Sequence, residues 1–232
     1  MDQRLLRRRA GQVFQVSGFV QAAKEINFTE LATEYDALRS TAPSRHASGR
    51  RYFVEHTSVA GMTSSNRTEE HLAASLLSRS SILTPRGTLN LIDFQFPLKA
   101  YRSDRGLGKV DLLGLMDSLV VIELKVHRPG GGGDTPLGAS LEALVYSAVI
   151  EANHDDIGEE MKERALRAPV GRPEILVLGT DEYWGRWDQS SACEGWRHAL
   201  AAVASGVHSK VGIDLWFGLL SSEPPQIKSV LT

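Results

Sequence analysis

The chain has 232 residues, of which 42% are hydrophobic and 23% are charged, and its formal net charge is −2. This composition is typical of a globular protein with one main core and argues against a disordered, fibrous or membrane protein. The single cysteine, Cys193, excludes an internal disulfide. Neither a signal peptide nor an apolar run of about 18 residues is evident, so we expect a cytoplasmic protein outside the membrane.

The charge is distributed unevenly along the chain. Residues 1–51 contain nine Lys or Arg and five Asp or Glu, a balance of +4, whereas residues 129–165 contain two and eight, a balance of −6. A basic segment of this kind can contact phosphates, although ordinary solvated arginines give the same pattern. The arginines concerned are Arg7, Arg8, Arg9, Arg50 and Arg51.

The first 60 residues are predicted to form an accessory segment ahead of the main domain, 61–232. A helix is expected over about 19–38. A linker rich in Ser, Ala and Pro follows over 41–49, and a short strand is expected near 51–55.

The main domain is predicted to alternate helices and strands. Asn66 and Glu69 form a capping-box pattern at the start of a helix that runs to about Ser80. The elements that follow are strands over 89–98, 109–115 and 119–127, a helix over 137–153, a strand over 174–179, a helix over 194–204 and a strand over 211–220. Because the most apolar strands need cover on both sides, this order predicts an α/β fold, a three-layer α/β/α sandwich around a mixed central sheet.

Two charged residues end the apolar strand predicted over 119–127. Every second residue from Val120 to Val126 is apolar, whereas the opposite face ends in Glu123 and Lys125. Ionised groups are costly to bury unless they are paired or bound to a metal. The pair therefore marks this strand end as a candidate site.

The preceding strand supplies a second carboxylate. A three-residue turn over 116–118 would pair residue 115 with 119 and, four residues further along each strand, Asp111 with Glu123. Directly opposed side chains share a face of the sheet, with Cβ atoms roughly 4.5 to 5.5 Å apart. A two-residue turn would instead place Asp111 opposite Leu124, so the prediction depends on the parity of the turn.

A divalent cation would relieve the repulsion between these carboxylates. Two carboxylates about 4 Å apart repel by roughly 4 kcal/mol at an effective dielectric constant of 20, which one lysine only partly offsets. Oxygen ligands from Asp111 and Glu123 suit Mg²⁺ or Mn²⁺ rather than zinc. Such an ion can activate water, and Lys125 can orient that water or stabilise charge on a phosphodiester.

Glu69 is a further candidate ligand. At about 100° per residue it lies at the centre of the apolar face of its predicted helix, whereas Glu70 lies on the rim. A carboxylate that points inward from the first helical turn can reach a metal site at a sheet edge. The alternative is that Glu69 only caps its helix.

Asp111, followed after eleven residues by Glu123-Leu-Lys125 on a hairpin, resembles the signature of the PD-(D/E)XK nuclease superfamily. The resemblance covers residues 66 to about 220, and it implies a restriction-endonuclease-like core with a glutamate in the leading helix, where Glu69 stands. Glu142-Ala-Leu-Val-Tyr146 is similar to the Gln-x-x-x-Tyr element of RecB-like members, with glutamate in place of glutamine. Val110 stands where the motif has proline.

Other residues are secondary candidates. Tyr146, Glu142 and His127 are predicted to line the substrate side, and His127 continues the face of Glu123 and Lys125. Asp93 or Asp104 could replace Asp111, although surface ion pairs are the simpler role for Asp104. Trp184, Trp187 and Trp196 could stack on bases, but packing is the simpler role.

The sequence thus predicts a Mg²⁺- or Mn²⁺-dependent nuclease that acts on nucleic acid, with DNA favoured, and it leaves a homodimer or a larger complex open. Pro129 to Thr135, with four glycines, is predicted to be a flexible loop beside the site. One alternative function is a catalytically silent module that binds nucleic acid or a partner protein. Another is a structural protein with a buried ion network.

Overall fold

The computed structural model describes residues 18–56, 68–127, 134–222 and 225–231. The predictions that concern Arg7–Arg9, Asn66 and the glycines of 130–133 lie outside the described residues. None of the helices within the described ranges is long and apolar enough to cross a membrane.

Helices and strands alternate along most of the described chain. The helices are α1 (Phe19–Lys24), α2 (Phe28–Ser40), α3 (Thr68–Leu77), α4 (Pro136–Ala152), α5 (His154–Glu163), α6 (Asp181–Asp188) and α7 (Trp196–Val211). The strands are β1 (Ser81–Thr84), β2 (Gly87–Pro97), β3 (Lys109–Leu115), β4 (Leu119–Lys125), β5 (Glu174–Thr180), β6 (Leu215–Ser222) and β7 (Pro225–Ser229). Short 3₁₀ turns occupy His46–Ser48 and Ser191–Cys193.

The strands form one closed barrel, in which each strand pairs with the next along the chain. The pairs from β1 to β4 are antiparallel, β4, β5 and β6 are parallel, and β7 returns antiparallel to β6. The ring closes where β7 runs parallel to β1, with Leu83 in register with Gln226.

The predicted open three-layer α/β/α sandwich is therefore wrong. Its sheet lacked β1 and β7, the strands whose pairing joins the two edges. These strands have only 4 and 5 residues, and β7 begins with a proline, a residue that lowers a sequence-based strand prediction. With both in place, the fold is a mixed α/β arrangement around a closed seven-stranded barrel.

Both faces of β4 are covered by apolar side chains. Val120, Ile122 and Leu124 belong to a cluster that includes residues of α3. Val121, on the opposite face, belongs to a larger cluster that includes residues of α4 and α7. All seven residues of β4 are buried, so the charged residues at its end stand in largely apolar surroundings.

The described part of the amino-terminal segment shares the larger core. Phe19 packs edge-on against Trp187 with ring centroids 5.0 Å apart. The Tyr35 hydroxyl donates to Glu151 Oε2 of α4 at 2.7 Å, and the Phe28 ring lies against Gly206 of α7. Helix α1 thus packs against α6, and α2 packs against α4 and α7.

The strand predicted near residues 51–55 is wrong, because this segment is irregular. Its amides bind a side chain instead of a neighbouring strand. The buried carboxylate of Glu160 accepts hydrogen bonds from Tyr52 N at 2.8 Å and Phe53 N at 3.0 Å. A carboxylate can satisfy backbone donors as well as a strand does.

The contact between α2 and α7 predicts a packing defect in Gly206→Ala. A Cβ at Gly206 would stand 2.5 Å from the Phe28 ring, so one of the two helices would have to shift. We expect a loss of about 1–3 kcal/mol in the free energy of unfolding, measured by urea denaturation. Gly185→Ala in α6 is the matched control, because a Cβ there meets nothing within 4 Å. It should be neutral or stabilising, and equal effects of the two substitutions would contradict the proposed packing.

Candidate active site

The turn between β3 and β4 brings Asp111 next to Glu123. The turn has three residues, and Leu115 pairs with Leu119 and Leu112 with Ile122, as the parity argument requires. Beyond that last pair, Asp111 Oδ2 accepts a hydrogen bond from Leu124 N at 3.0 Å. The carboxylate of Asp111 thus reaches the backbone of β4 immediately after Glu123, and the predicted register is confirmed.

Glu123 and Lys125 form a buried ion pair. Lys125 Nζ donates to Glu123 Oε1 at 2.7 Å, and the two side chains are only 8% and 5% exposed. The other carboxylate oxygen, Glu123 Oε2, is buried and has no hydrogen-bond partner among the described residues. The pair therefore leaves one buried acceptor unsatisfied, which is costly unless a further ligand is bound.

Asp134 is a member of the site that sequence reasoning missed. Its Oδ2 lies 3.5 Å from Lys125 Nζ, and its Oδ1 is buried without a hydrogen-bond partner among the described residues. The Tyr183 hydroxyl donates to the backbone oxygen of Asp134 at 3.1 Å, and Thr135 caps α4 by accepting from Gly138 N. One sequence feature could have identified Asp134. It is an acidic residue directly before the Thr-Pro pair that begins a helix, on the loop that follows β4.

Three of the remaining predicted residues, Glu69, Tyr146 and Glu142, lie within electrostatic reach of this centre. Glu69 is half-buried in the first turn of α3, and its charge acts on Asp111 and Asp134. The Tyr146 hydroxyl donates to Glu142 Oε1 at 2.5 Å, so these two residues act as a pair. His127 is exposed, and its charge acts on Glu182.

Three carboxyl groups of the site, those of Asp111, Glu123 and Asp134, have raised pKa values. Burial raises the pKa of Asp111 to about 6, with Lys125 opposing the rise and Glu69 and Glu142 adding to it. Burial likewise raises the pKa of Glu123 well above its usual range. These shifts are the response expected of buried carboxyl groups that lie close to one another.

Lys125 nevertheless stays charged. Burial alone would lower the pKa of its ammonium, but Glu123, Asp134 and Asp111 hold that pKa well above its usual range. The site therefore opposes one ammonium to a group of interacting carboxyl groups, namely Glu69, Asp111, Glu123, Asp134 and Glu142. A further cation would relieve the mutual repulsion that helps to raise these pKa values.

The donor chemistry fits a divalent cation, although the present arrangement does not form a ligand set. Within the described ranges, no group of three or more His, Cys, Asp or Glu side chains is placed to hold a metal ion. Lys125 stands between Glu123 and Asp134 and takes up one oxygen of each. The two unsatisfied buried oxygens and the all-oxygen donor set are what a hard ion such as Mg²⁺ or Mn²⁺ requires.

Asp93 and Asp104, the alternatives to Asp111, form other interactions. Asp93 pairs with His56 through a hydrogen bond of 2.5 Å to His56 Nε2. The Asp104 carboxylate accepts from Ala100 N and Tyr101 N, so the ion pairs expected for it are replaced by backbone hydrogen bonds.

Other residues predicted to contact nucleic acid are also engaged elsewhere. Trp184, Trp187 and Trp196 are 4%, 1% and 3% exposed, which leaves packing as their role. Arg51 pairs with Glu160 and Glu163.

Comparisons of the chain with protein-family models, with curated proteins and with solved structures find no match. The likeness to PD-(D/E)XK nucleases rests on the residues of the site, and membership of that superfamily stays a prediction.

The raised pKa of Asp111 predicts that Asp111→Asn stabilises the metal-free protein at neutral pH. The folded pKa of about 6 lies above the ordinary aspartate value of 3.8, so ionising this group costs stability as the pH rises through that window. The gain should be about 1–3 kcal/mol near pH 7.5 and smaller near pH 4.5.

Chemical denaturation in chelator at both pH values measures this gain. Asp117→Asn, on an exposed carboxylate that pairs with Arg167, serves as the control for loss of a surface charge and its ion pair. A gain that does not change with pH would contradict the assignment to Asp111.

Proposed function

We propose that this protein is a metal-dependent nuclease that hydrolyses phosphodiester bonds in nucleic acid, with DNA favoured, at Asp111, Glu123 and Lys125. The observation that carries the proposal is the buried cluster at the end of β4. There Lys125 is shared by Glu123 and Asp134, and each of these carboxylates has one buried oxygen without a hydrogen-bond partner among the described residues. A cytoplasmic location belongs to the same proposal.

The excess of carboxyl groups supports a cation-binding role. A purely structural ion pair is most stable when both partners have all their hydrogen bonds satisfied. In this cluster Glu123 and Asp134 are only partly satisfied, and Asp111 adds a third carboxylate within electrostatic reach. This combination destabilises the fold, and such strain is commonly retained where it serves binding or catalysis.

Asp111 and Glu123, with Glu69 as a further candidate, would hold the ion. A divalent cation supplies stabilisation of charge on the phosphodiester and lowers the pKa of the attacking water. Lys125, held charged by its carboxylate neighbours, can donate to a phosphate oxygen or orient the water. Leu124 N–H holds the Asp111 carboxylate toward β4, close to Glu123.

Asp134 is assigned a positioning role in the same proposal. Glu123 can offer its Oε2, which has no partner among the described residues, to the ion while Oε1 stays with Lys125 Nζ. Asp134 Oδ2, at 3.5 Å from Lys125 Nζ, supplies the ammonium with a second anionic partner. Lys125 can thereby stay buried and charged while Glu123 binds the ion.

The main test is incubation with single-stranded and double-stranded DNA and RNA, linear and circular, in Mg²⁺, Mn²⁺ or chelator. Asp111→Ala and Glu123→Ala should each abolish cleavage, because both remove a ligand. Asp111→Ala should stay folded because it relieves repulsion, and Glu123→Gln is added because it keeps an acceptor for the buried Lys125. Asp117→Ala, in the turn at the opposite end of the β3–β4 hairpin and exposed, should cleave like the unsubstituted protein.

Calorimetric titration with Mg²⁺ separates this function from the alternative of a closed structural ion network. The nuclease proposal expects saturable binding that is lost in Glu123→Ala. Absence of both binding and cleavage in the unsubstituted protein would leave the ion network as the better interpretation.

A separate prediction concerns the two residues that act without being ligands. Lys125→Ala should lower kcat, by about 100-fold or more, while Mg²⁺ affinity changes little, since an ammonium is not a ligand. Asp134→Asn should lower kcat by about tenfold through loss of the partner of Lys125, and Asp134→Glu should restore part of that loss.

The deciding measurement compares, for each variant, the change in kcat with the change in Mg²⁺ affinity. Loss of Mg²⁺ binding in Asp134→Asn that matches the loss in kcat would make Asp134 a ligand and not a positioning residue.

A further inference from the structure

A basic loop, defined here as residues 99–109, leads from the end of β2 into the first residue of β3. It contains four cationic residues and one acidic residue, Asp104. The cationic residues, all exposed, are Lys99, Arg102, Arg105 and Lys109. Exposure of so much like charge on one short segment indicates a surface that attracts anions.

Packing and backbone hydrogen bonds define the shape of the basic loop. Ala100 and Leu107 are 0% and 2% exposed and anchor it to the core. Asp104 Oδ2 accepts from Ala100 N at 2.9 Å and Tyr101 N at 2.8 Å. The one acid of the basic loop is thus engaged with the backbone, and the arginines on either side of it remain directed to solvent.

The cations of the basic loop differ from several other arginines of the protein. Arg86, Arg172 and Arg197 each form an ion pair with a carboxylate. Among the described residues, none of the four cations of the basic loop forms such a pair. Their charge is therefore not neutralised within the described part of the protein.

The basic loop ends at the candidate site. Lys109 stands two residues before Asp111 on β3, hence on the same face and about 7 Å away along the strand. Gly108 lies so close to the Tyr146 hydroxyl that a Cβ would overlap with it, and Tyr146 donates to Glu142. A polyanion that contacts the basic loop is thereby led toward the carboxylates.

The basic loop also presents an aromatic side chain. Tyr101 is 50% exposed, whereas Trp184, Trp187 and Trp196 are buried. Exposed aromatic rings between cations are typical of surfaces that bind unpaired nucleotides, because bases stack on the ring while the cations contact phosphates. Duplex DNA keeps its bases stacked on each other and would use the cations only.

We propose that the basic loop binds a single-stranded segment of nucleic acid, with Arg102 and Arg105 on phosphates and Tyr101 stacked on a base, and delivers that segment to the site. This inference rests on the proposed function, since it assumes that the polyanion at the site is a nucleic acid. The basic loop, whose last residue lies two positions before Asp111, is thereby assigned to substrate contact.

The test is binding of fluorescent single-stranded and double-stranded oligonucleotides by the full chain in Ca²⁺, over a series of salt concentrations and with a check that no product forms. The double variant Arg102→Ala/Arg105→Ala should reduce the slope of log Kd against log salt by about 1.4 for single strands, the value for two lost phosphate contacts. Tyr101→Ala should weaken single-strand binding by about tenfold, and Tyr101→Phe, which keeps the ring, should not.

Lys24→Ala/Lys210→Ala is the matched control for charge. It removes two exposed cations from α1 and α7 and should leave the slope near that of the unsubstituted protein. At limiting substrate, kcat/KM of the loop variants should fall in proportion to the loss of single-strand affinity.

The outcomes separate this inference from the proposed function. Binding that depends on Tyr101 and the arginines, without any cleavage, would support the basic loop and overturn the nuclease. Cleavage with an unchanged salt slope, or a slope that falls equally in the lysine control, would overturn the basic loop and leave the nuclease standing. Equally tight, Tyr101-dependent binding of polyglutamate would overturn the assignment to nucleic acid.

Discussion

The burial of Lys125 and Glu123 at the end of β4 is the constraint on which the rest of the site depends. An ammonium and a carboxylate lose much solvation when they leave water, and their attraction compensates only if the geometry is close and the remaining hydrogen bonds are made. The 2.7 Å contact meets the first condition. The second is not met, because Glu123 Oε2 has no partner among the described residues.

The surrounding fold is arranged to hold further carboxylates near this pair. Gly179 of β5 lies in register with Lys125 of β4. A Cβ at this position would stand 2.5 Å from Tyr183 Cδ1, so the absence of a side chain allows the Tyr183 ring to come this close. From there the Tyr183 hydroxyl holds the backbone of Asp134. The position of Asp134 thus depends on a glycine in a neighbouring strand, and α4 begins directly afterwards.

Charge elsewhere in the protein is largely used within the fold. Arg39 and Arg172 pair with Glu151, and Arg51 pairs with Glu160 and Glu163, so several basic groups hold the amino-terminal helices and the following segment on the core. The basic loop is different, because its cations stay in solvent next to an acidic, buried site. The basic loop can therefore attract a polyanion, whereas the buried carboxylates beside it can attract a cation.

What the sequence determined was local. Strand alternation and turn length, which involve neighbours in the chain, predict the bounds of β3, the three-residue turn and the register from Leu112–Ile122 to Leu115–Leu119. The bounds of β2, β5 and α4 lie within two residues of those predicted, because their apolar patterns are long.

Only the tertiary structure decided how the barrel closes, how residues 51–56 run and where Asp134 lies, because these features depend on residues distant in sequence. Barrel closure depends on two short strands, β1 and β7, that carry little pattern of their own. The irregular course of residues 51–56 depends on Glu160, more than 100 residues away, and the place of Asp134 depends on Tyr183. A side chain that satisfies a distant backbone group leaves no periodic signal in the sequence, so such contacts appear only once the chain is folded.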